Sequence, residues 1–85
     1  MNREEILRKA IDTYGEESQM RMMIEEMSEL TKELCKWFRG EGDTVHILEE
    51  MADVQIMLDQ MKMIFGDTSE MEKAKVERLE GRLKA

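Results

Sequence analysis

Two long apolar seams constrain the fold of this chain more than any other feature. In each, apolar residues alternate at intervals of three and four, a spacing that keeps them on one face of an α-helix. The first seam lies in residues 16–39 and contains Met20, Met23, Met27, Leu30, Leu34 and Trp37. The second lies in residues 45–65 and contains Ile47, Met51, Val54, Leu58, Met61 and Phe65. The pattern predicts two long helices that pack along these seams.

Capping and turn signatures predict two shorter helices at the ends of the chain. Asn2 and Glu5 have capping-box spacing, and Gly15 is a suitable helix stop. The polar stretch 40–43 predicts a tight turn, which favours antiparallel long helices. Ser69 and Glu72 predict a second capping box, before a last helix that ends near residue 83 and packs on the edge of the bundle. The 85-residue chain, which contains no proline, is therefore predicted to be a single all-α domain, 1–85, with four helices around a central antiparallel hairpin.

The second long helix also predicts an oligomer. Besides its seam, it carries apolar residues on its other faces, namely Leu48, Ala52, Ile56, Met63 and Ile64. A helix that is apolar on most sides is buried on most sides, and a chain of 85 residues has little other material to cover it. We therefore expect a homo-oligomeric helical bundle, either a homodimer or a dimer of dimers.

Charge and cysteine content exclude several classes of protein. The net charge is −7, so the chain lacks the basic footprint of a nucleic-acid binder. It has no apolar run of the length that a membrane span requires, and no membrane partner is expected. Cys35 is the only cysteine, which rules out an internal disulfide. We expect a small core residue at Cys35 and a reducing, cytoplasmic location for the protein.

Two pairs of acidic residues stand beside the apolar seams. Glu26 with Glu29, and Glu50 with Asp53, are each three residues apart, so each pair lies on one helix surface. Both pairs are offset from their seams in the same rotational sense, which places them on one side of an antiparallel hairpin. Ionised carboxylates gathered there repel one another unless a cation is bound. An all-oxygen site suits Mg2+, with Mn2+ as an alternative.

The residues alone leave this site open in two respects. A solvated acidic surface explains the same spacing, and Glu25, Glu29 and Glu33 compete for the role of ligand on the first long helix. A di-iron bundle is excluded because it needs two Glu-x-x-His motifs and His46 is the only histidine.

The complete acidic motif resembles that of a known enzyme family. The sequence has Glu25-Glu26-x-x-Glu29, a gap of twenty residues, and then Glu50-x-x-Asp53. Over residues 16–65 it is similar to the MazG-like all-α nucleoside triphosphate pyrophosphohydrolases. The resemblance implies Mg2+ held by Glu26, Glu29, Glu50 and Asp53, with Glu25 as a supporting acid. A carboxylate not fully engaged with the metal, Glu25 or Glu29, is the candidate catalytic residue that orients the attacking water. It also implies a hydrolase that converts a nucleoside triphosphate, ribo or deoxyribo, into the monophosphate and pyrophosphate.

The basic residues that hold such a triphosphate are less clearly marked. Lys32, Lys36 and Lys62 are the candidates on the long helices, and Lys73, Lys75 and Arg78 are further candidates on the last helix. For each of these taken singly, surface charge that offsets the glutamates is the better explanation. The alternative function is a non-catalytic helical assembly or regulatory module that retains the fold.

Overall fold

The computed structural model describes residues 1–85 and contains four α-helices and no strand. The helices are α1 (Arg3–Tyr14), α2 (Glu16–Phe38), α3 (Thr44–Phe65) and α4 (Ser69–Lys84). The predicted all-α class and the number of helices are confirmed. No helix is both long enough and apolar enough to span a membrane.

Local side-chain acceptors fix the starts of α1 and α3. The Asn2 side chain accepts a hydrogen bond from the Glu5 backbone N–H at 2.8 Å. Asp43 caps α3 in the same way and accepts from the Val45 N–H at 2.8 Å. Each bond satisfies a backbone donor that has no partner within its helix.

The start of α4 differs from the predicted capping box. Asp67 accepts hydrogen bonds from both the backbone N–H of Ser69, at 3.3 Å, and its hydroxyl, at 2.9 Å. Glu72 is bonded instead by the Thr68 hydroxyl. An aspartate side chain readily accepts a hydrogen bond from the backbone N–H two residues ahead. Because the Ser69 hydroxyl also donates to Asp67, it does not cap α4.

Helices α2 and α3 lie side by side, and α1 packs against both. Gln19, in the first turn of α2, donates a hydrogen bond to Gln60, near the end of α3, at 2.7 Å. Glu26, further along α2, lies close to Glu50 in the first half of α3. The two helices therefore run in opposite directions.

The faces through which α2 and α3 meet coincide with the predicted seams only in part. The inner positions of α2 are Gln19, Met23, Glu26, Leu30 and Glu33, and those of α3 are Ile47, Glu50, Val54, Met57 and Met61. The expectation that the helices pack along their predicted seams therefore holds only in part: Met23 and Leu30 of α2 and Ile47, Val54 and Met61 of α3 lie on the inner faces, and the other seam residues do not. Met27 and Leu34 of the predicted α2 seam are 50% and 43% exposed. Each helix is turned so that part of its apolar stripe faces outward and its glutamates face inward.

The buried core lies at one end of the α2–α3 pair, where α1 packs. Leu7 and Ile11 of α1 are buried with Met57 of α3, and they are the only apolar residues below 9% exposure. At the same end, Arg3 forms an ion pair with Asp59 at 2.7 Å. Eighteen large apolar side chains remain at least 36% exposed, so the protomer alone covers little of its apolar surface.

The loop between α2 and α3 makes one close backbone contact. A Cβ atom at Gly42 would lie 2.6 Å from the Cα of Trp37, well inside van der Waals contact. Glycine is therefore required there for the chain to turn back across the end of α2. The contact fixes where α3 begins relative to α2.

Helix α4 does not pack on the edge of the bundle as predicted. None of its Cα atoms lies within 8 Å of a Cα of another helix, and none of its residues is buried. Its apolar residues are too few to compete for the face of α2 or α3, and the turn before it is held by the Asp67 hydrogen bonds. An ion pair between Lys62 and Glu72, at 3.8 Å, is its one charged link to α3.

Candidate metal centre

Three carboxylates meet at the middle of the α2–α3 pair. Glu26 of α2 and Glu50 and Asp53 of α3 each place one oxygen within 4.8 Å of the others. Glu26 and Glu50 reach this point because both occupy inner positions of their helices, and Asp53 follows Glu50 by almost one turn. The structure thus brings together three of the four predicted metal ligands.

Burial and neighbouring negative charges both make two carboxyls of the cluster harder to ionise. Burial raises the pKa of Glu26 above its ordinary value, and the charges of Asp53 and Glu50 raise it further. Burial likewise raises the pKa of Glu50, followed by the charges of Asp53, Glu29 and Glu33. Both carboxyls therefore ionise less readily than a carboxyl in water, and a bound cation would reverse this effect.

One oxygen of the cluster is both buried and unpartnered. The Oε2 atom of Glu50 is shielded from solvent and forms no hydrogen bond. A buried polar atom without a partner is destabilising and is uncommon in folded proteins. Because this atom belongs to the carboxylate cluster, a cation held there would provide the missing partner.

Glu29 and Glu25 lie beside the cluster but outside it. The charge of Glu29 acts on both Glu26 and Glu50, which places it nearby, but its oxygens are not in the group within 4.8 Å. Glu25 acts on Glu26 alone and is exposed. Both carboxylates therefore border the site from its open side.

Glu33, one of the competing ligand candidates on the first long helix, belongs to the same inner face. It is 9% exposed, forms an ion pair with Lys36 at 3.3 Å, and its charge helps to raise the pKa of Glu50. The signal in the sequence is its spacing of seven residues from Glu26, which returns it to the same helix face. This pair places one ammonium group at the loop end of the acidic cluster.

The other two predicted phosphate-binding lysines differ in position. Lys32 is exposed on α2 and forms no ion pair. Lys62 is nine residues beyond Asp53 on α3, which corresponds to about 13 Å along the helix. There it pairs with Glu72. Hydrogen bonds from Arg3 and from Ser69 are the main causes of the lowered pKa values of Asp59 and Asp67 respectively, and the charge of Lys62 adds to them. The structure therefore does not bring Lys62 to the carboxylates.

His46 and Cys35 stand apart from the cluster. His46 is exposed, and its Nδ1 lies 3.9 Å from the capping carboxylate of Asp43. Cys35 is exposed, so the prediction of a core position is wrong. It lies about 180° around α2 from Glu26, on the side directed away from α3.

The donor set fits a hard divalent cation. Three carboxylates, one with a buried free oxygen, provide the anionic oxygens that Mg2+ and Mn2+ prefer, and leave other coordination positions for water or phosphate. No sulfur or imidazole ligand accompanies them, which argues against zinc or copper. Comparisons with known protein families, with curated proteins and with solved structures found no match.

Proposed function

We propose that this protein is a Mg2+-dependent nucleoside triphosphate pyrophosphohydrolase, which releases a nucleoside monophosphate and pyrophosphate. The observation that carries the proposal is the meeting of Glu26, Glu50 and Asp53, together with the buried oxygen of Glu50 that has no hydrogen-bond partner. The spacing of the acidic motif, which resembles that of the MazG-like enzymes, supports the choice of reaction.

The carboxylates of the chain have distinct tasks in this proposal. Glu26, Glu50 and Asp53 bind the cation, and Glu29 completes the set when its side chain turns toward them. Bound Mg2+ would neutralise phosphate charge and lower the pKa of an attacking water molecule. This cation also explains how a chain of net charge −7 binds an anionic substrate.

Glu25 and Glu29 are the proposed catalytic carboxylates. Hydrolysis requires a base that takes a proton from water as its oxygen attacks phosphorus and the bridging P–O bond breaks. Both residues are exposed on the open side of the cluster, where a water molecule has access to them. Whichever of them is not engaged with the cation orients this water and accepts its proton.

Lysines next to the carboxylates would hold the part of the triphosphate that extends beyond the cation. Lys36, fixed by Glu33, and Lys32, one turn away, are the nearest candidates on α2. Lys62 is the most distant of the predicted set. An ammonium held by a carboxylate loses less conformational freedom when it binds phosphate.

A second copy of the chain would complete the fold. Met27 and Leu34 of α2 and Met51 and Leu58 of α3 are all substantially exposed. They are offset in the same rotational sense from the inner glutamates, so in an antiparallel pair they form one apolar face. We propose that α2 and α3 are the central hairpin of a bundle in which two such faces meet, in a homodimer or a dimer of dimers.

The test is a panel of ribo- and deoxyribonucleoside triphosphates incubated with the full-length protein and Mg2+. Pyrophosphate and orthophosphate are measured separately in each reaction, with EDTA as the control. We expect pyrophosphate and a nucleoside monophosphate from at least one substrate, and no product in EDTA. Orthophosphate as the first product would identify a phosphatase instead. No product at all would support the non-catalytic assembly or regulatory module.

A further inference from the structure

Helix α4 is a long helix that nothing in its own protomer covers. It has 16 residues, all of them exposed, and approaches α1, α2 and α3 nowhere within 8 Å between Cα atoms. A lone helix of this length is only marginally stable in water. The Cα radius of gyration, 15.9 Å, exceeds the roughly 12 Å expected of a compact chain of this length. A contact outside the protomer would stabilise α4.

One edge of α4 carries unpaired positive charge. Lys75, Arg78 and Arg82 lie within an arc of about 60° when positions are projected at about 100° per residue, and no acidic residue of α4 shares that arc. None of the three forms an ion pair within the protomer. Beside this basic edge, the exposed side chains of Val76, Leu79 and Leu83 form a narrow apolar stripe.

One side of the α2–α3 pair carries unpaired negative charge. Glu25 and Glu29 of α2 and Glu49 and Asp53 of α3 are exposed, and none of them forms an ion pair. They are offset in one rotational sense from Glu26 and Glu50 respectively. Since α2 and α3 are antiparallel, all four lie on one side, which we call the acidic side.

We propose that α4 docks on the acidic side of a second copy of this chain, with its basic edge against the four carboxylates. Charge complementarity selects this occupant: α4 carries four acidic and five basic residues, whereas α2 carries six acidic and three basic ones and α3 four and one. Opposite charges that are unpaired in the free protomer attract in a way that also fixes orientation. The apolar stripe of α4 is buried at the edge of the same contact.

The connection between α3 and α4 favours a second copy over the chain's own acidic side. Only residues 66–68 separate the two helices. The turn is held by the Asp67 hydrogen bonds to Ser69 and by a Gly66 N–H bond of 2.9 Å to the Lys62 carbonyl. Beyond this turn, α4 touches α3 only through the Lys62–Glu72 ion pair, and its basic edge contacts no other helix of the chain.

Two double variants of the full-length chain test the contact. Lys75→Glu/Arg78→Glu reverses the basic edge, and Lys73→Glu/Lys84→Glu reverses the same number of charges on the other side of α4. Both change the net charge equally, and the only ion pair that either one removes is the exposed pair between Lys84 and Glu80 in the control. In sedimentation equilibrium with EDTA and without nucleotide, we expect the first variant to raise the dimer Kd at least about tenfold above that of the control. Equal Kd values would overturn the proposal.

Cross-linking identifies which copy α4 contacts. A carbodiimide joins a lysine amine to a carboxylate only where the two touch, so equal amounts of 14N- and 15N-labelled protein are mixed and treated. We expect peptides of mixed isotope that join Lys75 to Glu25, Glu29, Glu49 or Asp53. Cross-links within single copies only, or none, would overturn the proposal. Because neither experiment uses metal or substrate, a failed hydrolase assay and a failed docking test are separate results.

Discussion

The two ends of the α2–α3 pair bury polar side chains in opposite ways. At the end where α1 packs, Gln19 and Gln60 are 6% and 3% exposed and hydrogen-bond to each other. In the middle and toward the loop, Glu26 and Glu50 face each other as like charges, and one Glu50 oxygen has no partner. The two glutamines therefore satisfy each other by a hydrogen bond, whereas the two glutamates do not.

This contrast separates a structural polar pair from a binding site. A buried amide pair with complementary donor and acceptor needs nothing further and fixes how two helices align. Buried carboxylates that raise each other's pKa are stable only when something else neutralises them. The glutamine end should therefore determine stability, and the glutamate end should determine response to cations.

The largest effect is expected from Glu50→Gln. The change removes one negative charge at the cluster and keeps the shape, so binding of Mg2+ and hydrolysis are lost together, with a fall in pyrophosphate release of about a hundredfold or more. Mg2+ should raise the melting temperature of the wild type but not of the variant. Glu49→Gln, one residue away and outside the cluster, is the matched control. If Mg2+ does not change the melting temperature of the wild type, the proposed metal site is wrong.

The next effect concerns the glutamine end. Gln60→Leu leaves the Gln19 amide buried without its acceptor, which should lower the free energy of unfolding by about 1–3 kcal/mol. Gln19→Leu/Gln60→Leu removes both polar groups and should cost less than the sum of the two single changes. Urea denaturation of all four proteins gives the coupling energy. Additive single changes would mean that the pair is not a unit.

The third prediction concerns how the stability of the metal-free protein depends on pH. The pKa values of Glu26 and Glu50 are raised above 4.5, so the folded state holds these protons more tightly and loses stability as pH rises through the raised values. The pKa values of Asp59 and Asp67 are lowered from 3.8, so their stabilisation is lost as pH falls below that point. Melting temperature in EDTA should therefore peak in mildly acidic buffer.

Glu26→Gln/Glu50→Gln is the control for that profile. Without the two carboxyls, the decline toward neutral pH should flatten, while the decline in strong acid persists because Asp59 and Asp67 remain. A neutral-side decline of unchanged size would show that other groups cause it.

The smallest effect is expected at the ion pair between Arg3 and Asp59. It ties α1 to the core end, but Arg3 is 59% exposed, so solvent screens the attraction. Arg3→Ala should lower the free energy of unfolding by no more than about 1 kcal/mol, and the loss should shrink in high salt. Arg8→Ala, on the same helix and without an ion pair, provides the comparison. A loss that is insensitive to salt would point to packing rather than charge.

Helix positions were predictable from the sequence because their signals are local. Caps, glycines and the spacing of apolar residues depend on neighbours within a few positions, and α2 begins at Glu16 as expected and ends one residue before the predicted Arg39. The proximity of Glu26 to Glu50 and Asp53 was predictable as well, because it requires only helix geometry and an antiparallel arrangement of α2 and α3.

The inward faces and the place of α4 were not predictable in the same way. Periodicity finds the apolar stripe of a helix but not which molecule covers it. The stripe with Met27 and Leu34 was assigned to the partner helix, whereas the structure leaves it half exposed and turns Glu26 and Glu33 inward. The same reasoning failed for Cys35 and for α4, because the apolar character of a residue does not say which surface of the chain, if any, covers it.

The close approach of Gly42 to Trp37 makes the α2–α3 loop a spacer of fixed length. An inserted residue would disturb this contact, which sets where α3 begins relative to α2 and therefore where Glu50 lies relative to Glu26. Exposed loops normally tolerate insertions. Glu41 in this loop is exposed, so another type of residue can replace it. The number of residues is not free, so this loop is a poor place to insert a tag or to open the chain for circular permutation.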